Sequence, residues 1–146
     1  MSGVVLTGHG GLENLVWRDD LPVPAPQADE VLIKVAAAAV NNTDVNTRIG
    51  WYSKSVTSAT DAADTPASDD GSWTGKPLQF PLIQGADCCG HIVAQGDGAT
   101  DRLGERVLVR PMQNWDGKAT YTFGSEMNGG FAQYAIARSV DAAKVD

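Results

Sequence analysis

The sequence predicts a mainly β fold with short helices, curled into a partly open barrel. Three observations carry this. Apolar residues fall in many short runs, several of them alternating with polar residues in the period of a strand. Sixteen glycines and seven prolines punctuate those runs over 146 residues. The hydrophobic share of 42% and charged share of 20% are those of one ordinary globular domain with a core to bury. Short strands separated by such turns close on themselves; they do not alternate with helices around a parallel sheet.

Taken in order, residues 4–6 and 15–18 read as strands joined by a glycine-rich turn at 8–11. Residues 21–27 hold Pro22, Pro24 and Pro26 and form an extended connector without ladder donors. A longer strand follows at 30–40, with Val31, Ile33 and Val35 on one face and Leu32 and Lys34 on the other. Its alanines at 36–39 favour a helix by propensity alone but suit close packing on both faces. Residues 41–49 read as a short helix opening near Asn42 or Thr43 and stopped by Gly50. Composition then shifts. Residues 53–75 are rich in Ser, Thr, Ala, Asp and Gly and read as a mobile excursion or lid, with Trp73 pinning its far end. Strands resume at 82–83, 89–95, 106–110 and 131–137, with turns at 96–98 and 101–104.

The net charge of -7 and pI near 4.6 repel phosphate backbones and anionic lipid, so neither nucleic acid nor a membrane surface is an expected partner. No apolar run approaches the ~20 residues of a spanning helix. The first residues lack the basic and apolar regions of a signal peptide, so the expected compartment is the cytoplasm. Cys88 and Cys89 are adjacent and point to opposite faces of a strand, so both are expected reduced.

Four blocks, in order, carry a family resemblance: VNNTDVNTRIGWY at 40–52, PLIQGADCCGHIVAQG at 81–96, GERV at 104–107 and GGFAQYAIA at 129–137. Together they resemble the GroES-like catalytic domain of the medium-chain dehydrogenase/reductase family, over nearly the whole chain. The resemblance implies a GroES-like barrel and an active site in a cleft between this domain and a nucleotide-binding domain. No Gly-x-Gly-x-x-Gly or other phosphate turn occurs in residues 1–146, so that second domain is missing from this sequence. Gly85, Gly90 and Gly96 serve tight turns and close strand packing instead.

Zinc-dependent members of the family carry a cysteine ligand three residues before the aspartate at 44. That place holds Asn41, a poor zinc ligand but a good partner for a ribose or carbonyl. The zinc-free quinone oxidoreductase branch similarly carries asparagine there. Where zinc enzymes show Gly-His-Glu, this chain has Gly85, Ala86 and Asp87. The region of the four-cysteine structural zinc loop, near 110–127, contains no cysteine. Neither metal site is therefore expected. Asn41 and Asp44 can equally cap the helix at 41–49. Cys89 and His91 share a strand face but lack further soft ligands nearby. Tyr52, after Arg48 and Gly50, resembles a tyrosine bordering the quinone oxidoreductase pocket, where a phenol can donate to a carbonyl oxygen; it can equally be a packing anchor. Asp61, Asp64, Asp69 and Asp70 read as solvated surface.

The resulting expectation is the substrate-side domain of a zinc-independent, NAD(P)H-dependent oxidoreductase that delivers hydride to a quinone or activated alkene. Tyr52 and Asn41 are its catalytic candidates, Asn41 and Asp44 the cofactor-binding ones, and Trp51 and Asp87 line the substrate cleft. NADP or NAD belongs to an intact two-domain enzyme, and the chain alone is expected inactive. An exposed face and free sheet edge, covered in relatives, predict a homodimer. The alternatives are an alcohol dehydrogenase-type member with altered metal ligands and a free-standing GroES-like binding or assembly module. A reading frame continuing past residue 146 separates the last from the others.

Overall fold

The computed structural model describes residues 1–52, 77–114, 117 and 120–146. The excursion expected at 53–75 lies outside them.

β1 (Gly3–Leu6) and β2 (Leu15–Arg18) pair antiparallel, Leu6 opposite Leu15. The glycine turn and a single 3-10 turn at Leu12–Asn14 close the hairpin. The proline connector is extended, as its missing N–H groups require. β3 (Glu30–Ala39) keeps its alanines in the strand against their helix propensity. Their small side chains admit β5 (Asp87–Gln95), which pairs along nearly the whole of β3. A Cβ on Gly90 would lie 2.3 Å from the Lys34 carbonyl oxygen, so the β3–β5 approach depends on a glycine there.

β4 (Leu82–Ile83) adds to β1, giving a small sheet in the order β2-β1-β4. The main sheet adds β6 (Arg106–Val109), β9 (Tyr134–Arg138) and β10 (Ala142–Lys144) in the order β10-β6-β5-β3-β9. A third ladder joins β7 (Met112–Asn114) to β8 (Thr120–Thr122). The strands are antiparallel throughout these ladders, and the curled sheet is the expected partly open GroES-like barrel.

Val31, Ile33, Ile92, Val107, Val109 and Phe123 form the centre of the core. Strand alternation places Val31 and Ile33 there as predicted. β9 begins at Tyr134, later than the predicted residue 131, because residues 131–133 bridge two sheets. The Phe131 carbonyl accepts from Val4 N–H, the Gln133 carbonyl from Val35 N–H, and Gln133 N–H donates to Ser2. The chain thereby ties the small sheet to the main one.

Candidate functional site

α1 (Asn42–Ile49) is the only α-helix among the described residues. Asn41 caps it: its side-chain oxygen accepts from Thr43 N–H at 2.7 Å, and Asp44 Oδ2 accepts from Asn41 N–H at 3.0 Å. Gly50, in the left-handed region at φ 71°, ends the helix. The capping alternative is therefore realised, and the same residues also reach beyond the helix.

The Asn41 amide nitrogen donates to Asp87 Oδ2 at 2.7 Å. Both ends of the carboxamide are thus held, its oxygen by a backbone N–H and its nitrogen by a carboxylate at the start of β5. One amide hydrogen and one carbonyl lone pair are not used by these two bonds. Asp87 itself is exposed.

Asp44 is buried, with 4% of its surface exposed. Its Oδ1 accepts from Gly85 N–H at 3.1 Å and from Ala86 N–H at 3.3 Å, and its carbonyl accepts from Gln84 Nε2 at 2.9 Å. Gly85 makes this possible. Its φ of 102° aims successive N–H groups at one carboxylate, and a Cβ there would lie 2.6 Å from the Phe131 ring. Burial pushes the Asp44 carboxyl above its ordinary value, and the nearby Asp87 charge adds to that. The three backbone N–H bonds act in the opposite direction. Asp44 therefore fixes the helix start to the β4–β5 turn and so sets the distance between Asn41 and Asp87.

Trp51 and Tyr52 stand at the other end of α1, their rings edge to face with centroids 5.5 Å apart. Trp51 N–H donates to the Asn46 carbonyl. The structure thus brings Asn41, Asp44 and Asp87 together. The helix, about 12 Å long at ~1.5 Å per residue, separates them from Trp51 and Tyr52.

No group of three or more His, Cys, Asp or Glu side chains able to hold a metal occurs among the described residues. Cys88, the sulfur nearest in sequence to Ala86, belongs to the core cluster. Burial pushes its thiol up to about 12, away from the thiolate that zinc requires. The residues at this site do not fit a catalytic zinc ion. The oriented Asn41 amide keeps one donor and one acceptor position beyond its two bonds.

The alcohol dehydrogenase GroES-like domain model matches residues 27–146. The chain belongs to this family. It is the GroES-like domain of medium-chain dehydrogenases/reductases, as the four sequence blocks indicated. Human quinone oxidoreductase is 33% identical over 138 residues, covering 94% of this chain and 31% of that protein. A mitochondrial NAD(P)H oxidoreductase of Dictyostelium discoideum is 31% identical, covering 86% of this chain and 29% of its own length. A crystal structure of a candidate alcohol dehydrogenase from Sinorhizobium meliloti 1021 superposes with a TM-score of 0.79 at 42% identity, over 99% of this chain and 40% of that one. The chain therefore spans about a third of the relatives it matches. Among the described residues no helix is long and apolar enough to cross a membrane. The mitochondrial relative means that family membership does not fix the compartment.

A feature that sequence reading missed is a groove of about 710 Å3 away from α1. Leu21, Pro24, Pro81, Met127, Tyr134 and Ile136 are among its walls. Residues from five separate stretches build it, so no local pattern announces it. It includes none of the five candidate site residues.

Proposed function

We propose that this chain is the substrate-side domain of a zinc-independent, NAD(P)H-dependent oxidoreductase that reduces a quinone or an activated alkene. The Asn41 carboxamide carries the reading. It is held between Thr43 N–H and Asp87 at the place where zinc-dependent relatives put a thiolate. Ala86, beside it in the other ligand position, has no donor atom. The quinone and NAD(P)H oxidoreductases among the relatives support the reaction class.

When bound, the dinucleotide supplies the hydride. The chain's own residues bind and orient. Asn41 presents its remaining amide hydrogen and lone pair to the ribose or carbonyl edge of a ligand. Asp44 acts on the cofactor side by setting where Asn41 stands. Asp87 keeps the carboxamide from flipping. Trp51 lines the acceptor side of the cleft. Tyr52 donates a hydrogen bond to the acceptor oxygen as negative charge develops there. In this reading a longer protein supplies the opposite wall as a nucleotide-binding domain, and residues 1–146 act as one unit. The groove and the outer edge of β9 then form a face that such a neighbour covers. Exposed by itself, that face pairs two copies of the chain, and light scattering of the chain alone should show a dimer. A monomer at high concentration counts against that pairing.

An acceptor screen tests the function. The protein that joins this domain to its nucleotide-binding neighbour should consume NADH or NADPH with benzoquinones or enones. Activity confined to alcohols and aldehydes would favour the alcohol dehydrogenase alternative. Retention of a specific protein partner with no turnover would favour the assembly module.

A further inference from the structure

The main sheet carries two cations, Lys34 and Arg106, on its outer face, with His91 between them. Strand register sets Lys34 of β3 opposite His91 of β5, and His91 opposite Arg106 of β6. All three are exposed. Alternation places the neighbouring core residues Ile33, Ile92 and Val107 on the opposite face. Lys34 and Arg106 make no ion pair with a side-chain carboxylate among the described residues, whereas Arg18, Arg102, Arg110 and Lys144 each do; Arg106 donates one bond, to the Asp146 main-chain oxygen at 2.9 Å. The row is more conspicuous in a chain of net charge -7. Beside it lie Val93, 44% exposed, and Leu108, 53% exposed, with the half-buried Cys89 opposite Leu108.

We propose that this face docks an acidic segment of a partner protein. Charge complementarity chooses the occupant. The row crosses three strands, about 10 Å at ~4.8 Å between strands. A single carboxylate or phosphate is too small to engage both ends, so successive acidic side chains are needed. Long polyanions are disfavoured, because the -7 charge of the remaining surface repels nucleic acid and anionic membranes. Val93 and Leu108 add an apolar seat next to the charges, which an acidic peptide with one or two aliphatic residues fills. Asp87, on the same face of β5, is held by Asn41 and bounds the row at the end facing α1. The surface adjoins the proposed site at Asp87 and the groove at Tyr134, which stands opposite Lys34, but Lys34, Arg106, Val93 and Leu108 have no role in that reading.

Fluorescence anisotropy tests the proposal with the full chain and a short labelled peptide of glutamates flanking two leucines. The peptide should bind, and added salt should weaken it. Lys34→Glu combined with Arg106→Glu should lower affinity at least about tenfold. Arg18→Glu makes a charge change of the same sign on another sheet and should lower it by less than about twofold. Leu108→Ser should weaken the peptide while leaving the salt dependence unchanged. Thermal melts of each variant confirm that it is folded. Three outcomes overturn the proposal: no binding by the folded wild type, equal losses in the Arg18 control and the double variant, or tighter binding of a lysine–leucine peptide, a DNA oligonucleotide or phosphatidylserine vesicles.

Discussion

Replacing Asp44 with alanine should destabilise the domain by about 3 kcal/mol. The side chain accepts three backbone hydrogen bonds, from Asn41, Gly85 and Ala86, at 3.0, 3.1 and 3.3 Å. A buried donor left without a partner costs about 1–3 kcal/mol. The low end applies here, because two of the bonds share one oxygen and because deleting a buried carboxyl also relieves its desolvation. About 1 kcal/mol each gives the total, a large share of the ~5–15 kcal/mol that holds a typical domain together. At about 2–8 °C per kcal/mol for domains of this general size, the melting midpoint should fall by roughly 10 °C. Asp44→Asn supplies the internal comparison. Its amide oxygen still accepts from Gly85 and Ala86, while its NH2 faces the Asn41 N–H, so the loss should be nearer ~1 kcal/mol. Thermal melts followed by circular dichroism measure both. An alanine variant within about 2 °C of wild type, or an asparagine variant as damaged as the alanine one, would refute the assignment of Asp44 as the link between α1 and β5.

Other expectations follow from the same geometry. Tyr52→Phe in the intact enzyme should lower kcat about tenfold while leaving cofactor KM unchanged, because the phenol acts on developing charge; steady-state kinetics with varied NAD(P)H and quinone decide this, and an unchanged kcat removes Tyr52 from the site. The raised carboxyl of Asp44 sets the sign of a pH effect. The folded state holds that proton more tightly than the unfolded chain, so its stabilising contribution is fully present below the unfolded value of 3.8 and is lost as pH rises through the folded value. Denaturant melts should therefore show the stability gap between wild type and Asp44→Asn narrowing as pH rises from the acid side towards neutrality. A gap that widens with pH would contradict the buried position of this carboxyl.

The fold was legible where local pattern and tertiary context agree. Alternation in β3 correctly placed Val31 and Ile33 inside, and Gly50 marked the end of α1. β7, β8 and β10 were not predicted. Met112–Asn114 and Thr120–Thr122 show no clear alternation, and the buried Gln113 between them is an unpromising core residue by type. It is tolerated because its amide donates to the Arg110 carbonyl and accepts from Arg138 N–H. β10, Ala142–Lys144, has little strand propensity and gains its place by pairing with β6 and by the bond from Arg102 to the Ala142 carbonyl.

At the site, Asn41 and Asp44 were visible because a capping pattern is local. The further contacts of Asp44 with Gly85 and Ala86, and of Asn41 with Asp87, span more than forty residues, and nothing local encodes them. The positive φ of Gly85, which makes the Asp44 contacts possible, was foreseen only as a tight turn. The basic row was hidden for a related reason. Lys34, His91 and Arg106 are ordinary surface residues until strand register aligns them.

The central claim is that an oriented carboxamide at position 41 takes the place of a metal ligand. Elemental analysis of protein prepared without chelators, and joined to the nucleotide-binding domain proposed above, tests it most directly. The account predicts zinc far below one atom per chain, together with quinone-dependent oxidation of NAD(P)H that persists after EDTA and falls on Asn41→Ala. Stoichiometric zinc, with activity lost to EDTA and restored by zinc, would contradict it.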